Sequence, residues 1–169
     1  MNDKEKINYT KIITYTAVYT AIVCISTMFL KINFAYGYIN LGDVFIIVGC
    51  FLLSFYCIPA AGIGSFLSDI LTGFAEYALP TLIIKSLMAL TIVLIFNKKY
   101  SFYRALTAAI LSEVIMILGY SFYRFFLYGF AVAVGQMPFE AIQAGASIII
   151  APIIIHFLSK SKLINNLKK

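Results

Sequence analysis

The segment 12–30, IITYTAVYTAIVCISTMFL, contains no charged residue over 19 positions. That is about the length that one helix needs to cross a bilayer. The stretch 44–68 is also uncharged, and hydrophobic residues make up 62% of the chain against 12% charged. Soluble domains carry about 25% charged residues, so too few are present here to cover a water-facing surface. The composition excludes a soluble globular enzyme and predicts an integral membrane protein.

The chain length limits how many helices can cross the membrane. Six spans of about 20 residues fit within 169 residues and leave only short connections. We divide the stretch 44–68 at Pro59, because proline suits the first turn of a helix. The sequence therefore predicts an all-α bundle in a single membrane domain, residues 1–169. The predicted spans are 12–30, 41–57, 59–75, 79–96, 104–128 and 138–158.

The basic residues predict the orientation of this bundle. Ten of the 13 Lys and Arg residues fall into three clusters between or beside the apolar runs. The clusters are Lys4, Lys6 and Lys11; Lys98, Lys99 and Arg104; and Lys160, Lys162, Lys168 and Lys169. The positive-inside rule assigns such clusters to the cytoplasm. Both termini are therefore predicted on the cytoplasmic side of a bacterial plasma membrane. The clusters form no continuous basic face, so we predict no nucleic-acid partner.

Polar side chains recur at steps of three and four residues in four of the predicted spans. Span three carries Gly62, Ser65, Asp69, Thr72 and Glu76; span four Thr81, Lys85 and Met88; span five Glu113, Ile117, Tyr120 and Arg124; span six Glu140, Gln143 and Ser147. Ionisable groups inside a membrane are costly and often functional. We predict that these stripes enclose a ligand cavity, capped by the loop that carries Tyr36, Tyr38 and Asn40.

A structural interpretation of the same stripes stays open. Lys85 has two candidate partners, Asp69 and Glu113, and Arg124 has Glu140. When Asp43 is included, however, the predicted polar interior contains five acidic residues and only two basic ones. This imbalance favours a ligand cavity over a set of internal ion pairs. The predicted ligand contacts are Tyr38, Asn40, Asp69, Glu76, Lys85, Tyr120, Arg124, Glu140 and Gln143.

Span one instead carries a stripe of small residues. Thr10, Thr14, Ala17, Ala21 and Cys24 follow one another at steps of three and four. Small residues at this spacing let helix backbones approach closely. The stripe predicts packing either against a helix of the same bundle or against a partner protein.

The sequence lacks the common catalytic motifs. It contains no G-x-x-x-x-G-K-[ST], H-E-x-x-H or G-x-S-x-G. Its three cysteines show no metal-ligand spacing. We therefore predict neither catalysis nor a cofactor or metal. A small membrane enzyme, a channel or an assembly factor is the alternative to a membrane protein that binds a small ligand.

Several stretches resemble a known transporter family. They are the AxxxA of Ala17–Ala21, Gly37–Asp43, Gly62–Asp69, Pro80–Met88, Gly119-Tyr120 and Pro138–Gln143. In this order they resemble helices one to six of the substrate-binding (S) components of energy-coupling factor (ECF) transporters. The AxxxA matches the segment with which these proteins contact a coupling protein.

The resemblance implies a high-affinity capture subunit for a water-soluble vitamin or its precursor. Its partners would be a transmembrane coupling protein and two cytoplasmic ATPases, with Ala17 and Ala21 at the docking surface. The subgroup it most resembles suggests a vitamin B6-type or hydroxymethylpyrimidine-type ligand, and segments expected of riboflavin carriers are missing. Riboflavin, thiamin and other micronutrients are the alternatives. Arg124 and Glu140 depart from the subgroup, where an acid and an asparagine are usual.

The predicted orientation can be tested with single cysteines introduced into a cysteine-free background. Sites within 31–40 are expected to react with a membrane-impermeant thiol reagent in intact cells, because the rule places them outside. Sites near Lys98 and Lys162 are expected to stay unlabelled until the membrane is opened. Labelling near Lys98 in intact cells would reverse the orientation.

Overall fold

The computed structural model describes residues 9–34, 37–96 and 101–160. These residues form six α-helices and one β-hairpin, which confirms the all-α class. The elements are α1 (Tyr9–Phe29), β1 (Lys31–Phe34), β2 (Gly37–Asn40), α2 (Gly42–Leu53), α3 (Cys57–Leu71), α4 (Ala75–Phe96), α5 (Phe102–Tyr128) and α6 (Phe130–Lys160). Tyr36 lies outside the described residues. Of the three basic clusters, the described residues include Lys11, Arg104 and Lys160 only.

Five segments of the described chain are long and apolar enough to cross a membrane. Four of them are α1, α4, α5 and α6, and the fifth, Gly42–Leu71, combines α2 and α3. A 3₁₀ turn, Ser54–Tyr56, joins these two helices without a gap. Six spans with both termini in the cytoplasm therefore remain a prediction.

The chain reverses direction at the turn between α2 and α3. Ser54 adopts a positive φ of 52°, a conformation that non-glycine residues rarely take. The Sγ of Cys57 lies 3.7 Å from the carbonyl oxygen of Ile46, 11 residues earlier. A straight helix would separate these positions by about 16 Å. The break thus precedes the predicted one, and Pro59 falls in the first turn of α3.

Two other proline-based boundaries are wrong. Pro80 and Pro138 lie inside α4 and α6, which begin earlier, at Ala75 and Phe130. Proline removes one backbone hydrogen bond, but neighbouring helices in a membrane bundle can satisfy the freed carbonyl. One residue, Gly129, separates α5 from α6, and its φ of 83° suits glycine. The predicted outer loop of residues 129–137 is therefore mostly helical.

Small residues bring the helices of the bundle close together. A Cβ added to Gly64 of α3 would lie 2.7 Å from the carbonyl oxygen of Thr20 in α1. One added to Gly49 of α2 would overlap the ring of Tyr19. α3 packs between α1 and α4, whereas α5 packs between α4 and α6. The main apolar core lies around α2, at the end of the bundle away from the hairpin.

The predicted loop between the first two helices is an antiparallel β-hairpin. Lys31 pairs with Asn40 at its open end, and Asn33 pairs with Tyr38. The side chain of Asn40 accepts a hydrogen bond of 2.7 Å from the backbone N–H of Gly42, where α2 begins. The hairpin is thereby fixed against the start of α2, with β2 facing the ends of the other helices.

Candidate ligand-binding site

A recess lies where β2 meets α3, α4, α5 and α6. It has a volume of about 370 Å³, of which about 30 Å³ admits the centre of a water molecule. That is room for about two waters. Its walls are formed by Tyr38, Asn40, Asp69, Tyr77, Thr81, Met116, Tyr120, Arg124, Glu140 and Gln143.

Seven of the nine predicted ligand contacts line this recess. The other two, Lys85 and Glu76, do not. Three lining residues were not among the predicted contacts: Tyr77, Thr81 and Met116. Thr81 belongs to the predicted polar stripe, and Tyr77 precedes it by one helical turn. Met116 lines the recess where the predicted stripe of span five has Ile117. Because Met116 is apolar, a search for polar residues does not select it.

The hairpin is held over the recess by Tyr38 and Lys31. The Tyr38 hydroxyl donates a hydrogen bond to Oδ1 of Asp69. Burial and the nearby Asp69 charge raise the pKa of Tyr38 well above its usual range, so it remains a neutral donor. The Lys31 ammonium lies 4.9 Å from the centre of the Tyr38 ring and 5.2 Å from that of Phe74. Burial lowers the pKa of Lys31, and the Asp69 charge opposes this shift.

Gln143 connects the hairpin to the charged interior. Its Oε1 accepts a hydrogen bond of 2.8 Å from the backbone N–H of Asn40. Its Nε2 donates to Oδ2 of Asp43 at 2.5 Å. The other oxygen of Asp43 accepts from the Nζ of Lys85, also at 2.5 Å, and both charged side chains are buried. Lys85 therefore pairs with Asp43 beneath the recess, not with Asp69 or Glu113 as considered from the sequence.

Arg124 and Glu140 form a second buried ion pair, in the wall of the recess. Ser121 donates a hydrogen bond of 3.3 Å to Glu140. The Arg124 guanidinium lies 5.7 Å from the ring centres of both Tyr77 and Tyr120. The internal pairing considered from the sequence is thus present, and its members also border the recess.

Asp69 is the recess acid without a basic partner in hydrogen-bonding contact among the described residues. Its Oδ2 is buried and makes no hydrogen bond of normal geometry with a described residue, although the Thr81 hydroxyl lies close enough to interact with the carboxylate. Nearby, Thr81 and Tyr120 share a hydrogen bond of 3.0 Å between their hydroxyls. The recess therefore combines tyrosine rings with one carboxylate oxygen that has acceptor capacity to spare. Such a wall can hold a flat ring that donates hydrogen bonds.

Glu76 lies outside the recess, on an exposed apolar groove between α4 and α5. Its carboxylate accepts a hydrogen bond of 3.0 Å from Tyr128, and its carbonyl accepts one of 2.5 Å from Tyr123. α3 ends at Leu71, and Gly73 turns the chain with a φ of 85°. The helical stripe that predicted Glu76 as a contact is therefore interrupted before it reaches this residue.

The small-residue stripe of α1 lies mostly on the surface of the bundle. Thr10, Thr14, Ala17 and Ala21 are exposed, whereas Cys24 is buried. α3 contacts another face of α1, through Gly64. Ala17 and Ala21 are therefore available to a partner, and packing within the bundle does not use them.

The helical bundle agrees with the comparison to known families. The family model described as "ECF-type riboflavin transporter, S component" matches residues 7–160. The chain belongs to this family of ECF transporter S components. An S component is the substrate-capture subunit of a vitamin transporter and not an enzyme; it resides in the plasma membrane and partners with a coupling protein and ATPases. The family resemblance seen in the sequence is confirmed.

Two further proteins are similar to this S component. The solved structure of the S component of a bacterial ECF transporter superposes with a TM-score of 0.73, covering 96% of this chain and 100% of that one. At 21% identity, this match shows the shared fold. A Pyrococcus woesei protein described as an uncharacterized protein in the gap 3′ region is 30% identical over 145 residues. The alignment covers 82% of this chain and 95% of that relative.

Proposed function

We propose that this S component captures a single-ring vitamin of the B6 type or the hydroxymethylpyrimidine type. The observation that carries this proposal is the unpartnered Oδ2 of Asp69 in the wall of the recess. Both ligand types are aromatic heterocycles whose hydroxymethyl, amino or ring N–H groups donate hydrogen bonds. Asp69 would accept from such a donor, while Tyr120 and Tyr77 would flank the ring.

The charges around the recess favour a neutral or weakly basic ligand over an anionic one. Lys85 and Arg124 are each bound to an acid, Asp43 and Glu140. An anionic ligand would have to compete with a carboxylate for either base. A ligand that donates to Asp69 needs no such exchange, so we propose the unphosphorylated vitamin as the substrate.

Riboflavin is the second candidate, because the family model that matches this chain is described by that vitamin. A flavin has three fused rings and a ribityl chain, whereas the recess holds about two waters in this conformation. Any vitamin requires the hairpin to withdraw from Asp69 and Gln143, and a flavin requires a larger withdrawal than one ring does.

Calorimetric titration of the purified protein with pyridoxine, hydroxymethylpyrimidine, thiamin and riboflavin tests the proposal. We expect one of the first two to bind and Asp69→Asn to weaken it by about 5- to 150-fold. This corresponds to about 1–3 kcal/mol for one buried polar contact. Glu76→Gln, an acid outside the recess, is the matched control and is expected to bind normally. Binding of riboflavin alone would favour the second candidate, and unchanged binding by Asp69→Asn would place the pocket elsewhere.

We further propose that the exposed pair Ala17 and Ala21 docks against the coupling protein. Replacing both with leucine is expected to abolish copurification of the coupling protein and its ATPases, because added bulk keeps the two helices apart. Ligand binding by the isolated subunit is expected to survive. The matched control is Tyr15→Leu with Ile22→Leu, at two exposed positions on another face of α1. Normal assembly of the Ala17/Ala21 variant would refute this docking surface.

A further inference from the structure

Glu113 is a buried acid that the proposed ligand site does not use. It lies in α5, is 1% exposed, and does not line the recess. Neither of its carboxyl oxygens accepts a hydrogen bond from a described residue. The hydroxyl of Ser147 of α6 is also buried and lies beside this carboxyl, close enough to interact with it but without a hydrogen bond of normal geometry. Glu113 thus lacks the well-formed contacts that a buried ionised carboxylate normally has.

The charged groups around Glu113 come from two other helices. Asp43 of α2 and Lys85 of α4 lie near enough to act on it electrostatically. These two residues already form an ion pair of 2.5 Å and cancel each other's charge. An ionised Glu113 would add an uncompensated negative charge in a low-dielectric interior, at a cost of several kcal/mol. A buried acid in this situation takes up a proton instead.

We propose that Glu113 is a resident proton-binding site and the second carboxyl partner of Lys85. With Lys85 bound to Asp43, Glu113 holds a proton and is neutral. When the proton of Glu113 passes to Asp43, Asp43 becomes neutral, and Lys85 binds the ionised Glu113 as its anionic partner instead. The interior keeps the same net charge in both arrangements, so Lys85 always faces one ionised carboxylate.

This site couples the charge of the interior to the recess through Gln143. Gln143 lines the recess and also holds Oδ2 of Asp43 at 2.5 Å. A change at the recess that moves Gln143 therefore removes a hydrogen bond from Asp43, the residue that pairs with Lys85. The proton site itself does not depend on which vitamin is captured.

Infrared difference spectroscopy of the purified protein tests the proton site directly. The carbonyl stretch of a protonated carboxyl is expected near neutral pH in the wild type and is expected to be lost in Glu113→Gln. Glu76→Gln, which removes an exposed acid, is expected to leave that region of the spectrum unchanged. If the wild type and Glu113→Gln have the same carbonyl band, Glu113 carries no proton and the proposal fails. The amide bands of the same spectra show whether each variant retains its helices.

Asp43→Asn tests the second half of the proposal. In this variant Lys85 is expected to bind Glu113, so the Glu113 carbonyl band disappears although Glu113 is still present. The comparison of Asp43→Asn with the double variant Asp43→Asn/Glu113→Gln then shows no carbonyl difference. A persistent Glu113 band in Asp43→Asn would show that Lys85 does not exchange partners. Neither measurement requires the ligand, so failure here is distinct from failure of the proposed function.

Discussion

The buried contact between Lys85 and Asp43 is the interaction on which the hairpin end of the bundle depends. It joins α2 to α4, and Gln143 of α6 donates to the same carboxylate. Gln143 also accepts from the backbone of Asn40, which fixes the hairpin. Three helices and a β-strand are thereby held by one carboxylate and its two donors. Removing Lys85 would leave the Asp43 charge buried without its partner, at a cost of about 3–5 kcal/mol.

This arrangement separates the paired charges of the interior from Asp69, the group that we propose to receive a ligand. Both interior bases are engaged by acids, whereas Asp69 keeps one oxygen without a hydrogen-bonding partner among the described residues. Tyr38 binds the other oxygen of Asp69 and so places the hairpin across the recess. In the proposed function, a ligand that binds Asp69 would displace this cover, so capture and hairpin movement would be parts of one event. The proposed function and the shape of the recess follow from the same few contacts.

The sequence indicates which polar residues meet in the candidate site better than it indicates where the helices end. Polar residues at steps of three and four are rare in apolar spans. Asp69, Tyr120 and Gln143 therefore stand out in the sequence as candidate site residues. The helix starts predicted from Pro80 and Pro138 are wrong, because a membrane bundle tolerates these prolines inside helices. Glu76 was misplaced since α3 ends before it, and no local signal predicts that Asp43 is the partner of Lys85. That pairing joins residues 42 positions apart and depends on the tertiary fold.

The most direct test of this account is a double-mutant cycle on Asp43 and Lys85, read by the free energy of unfolding in detergent. Lys85→Met is expected to cost about 3–5 kcal/mol, because it leaves the Asp43 charge buried alone. Adding Asp43→Asn to Lys85→Met is expected to recover a large part of that loss, since the unpaired charge is then gone. If Lys85→Met is as stable as the wild type, or if the two effects simply add, this pair does not hold the site together.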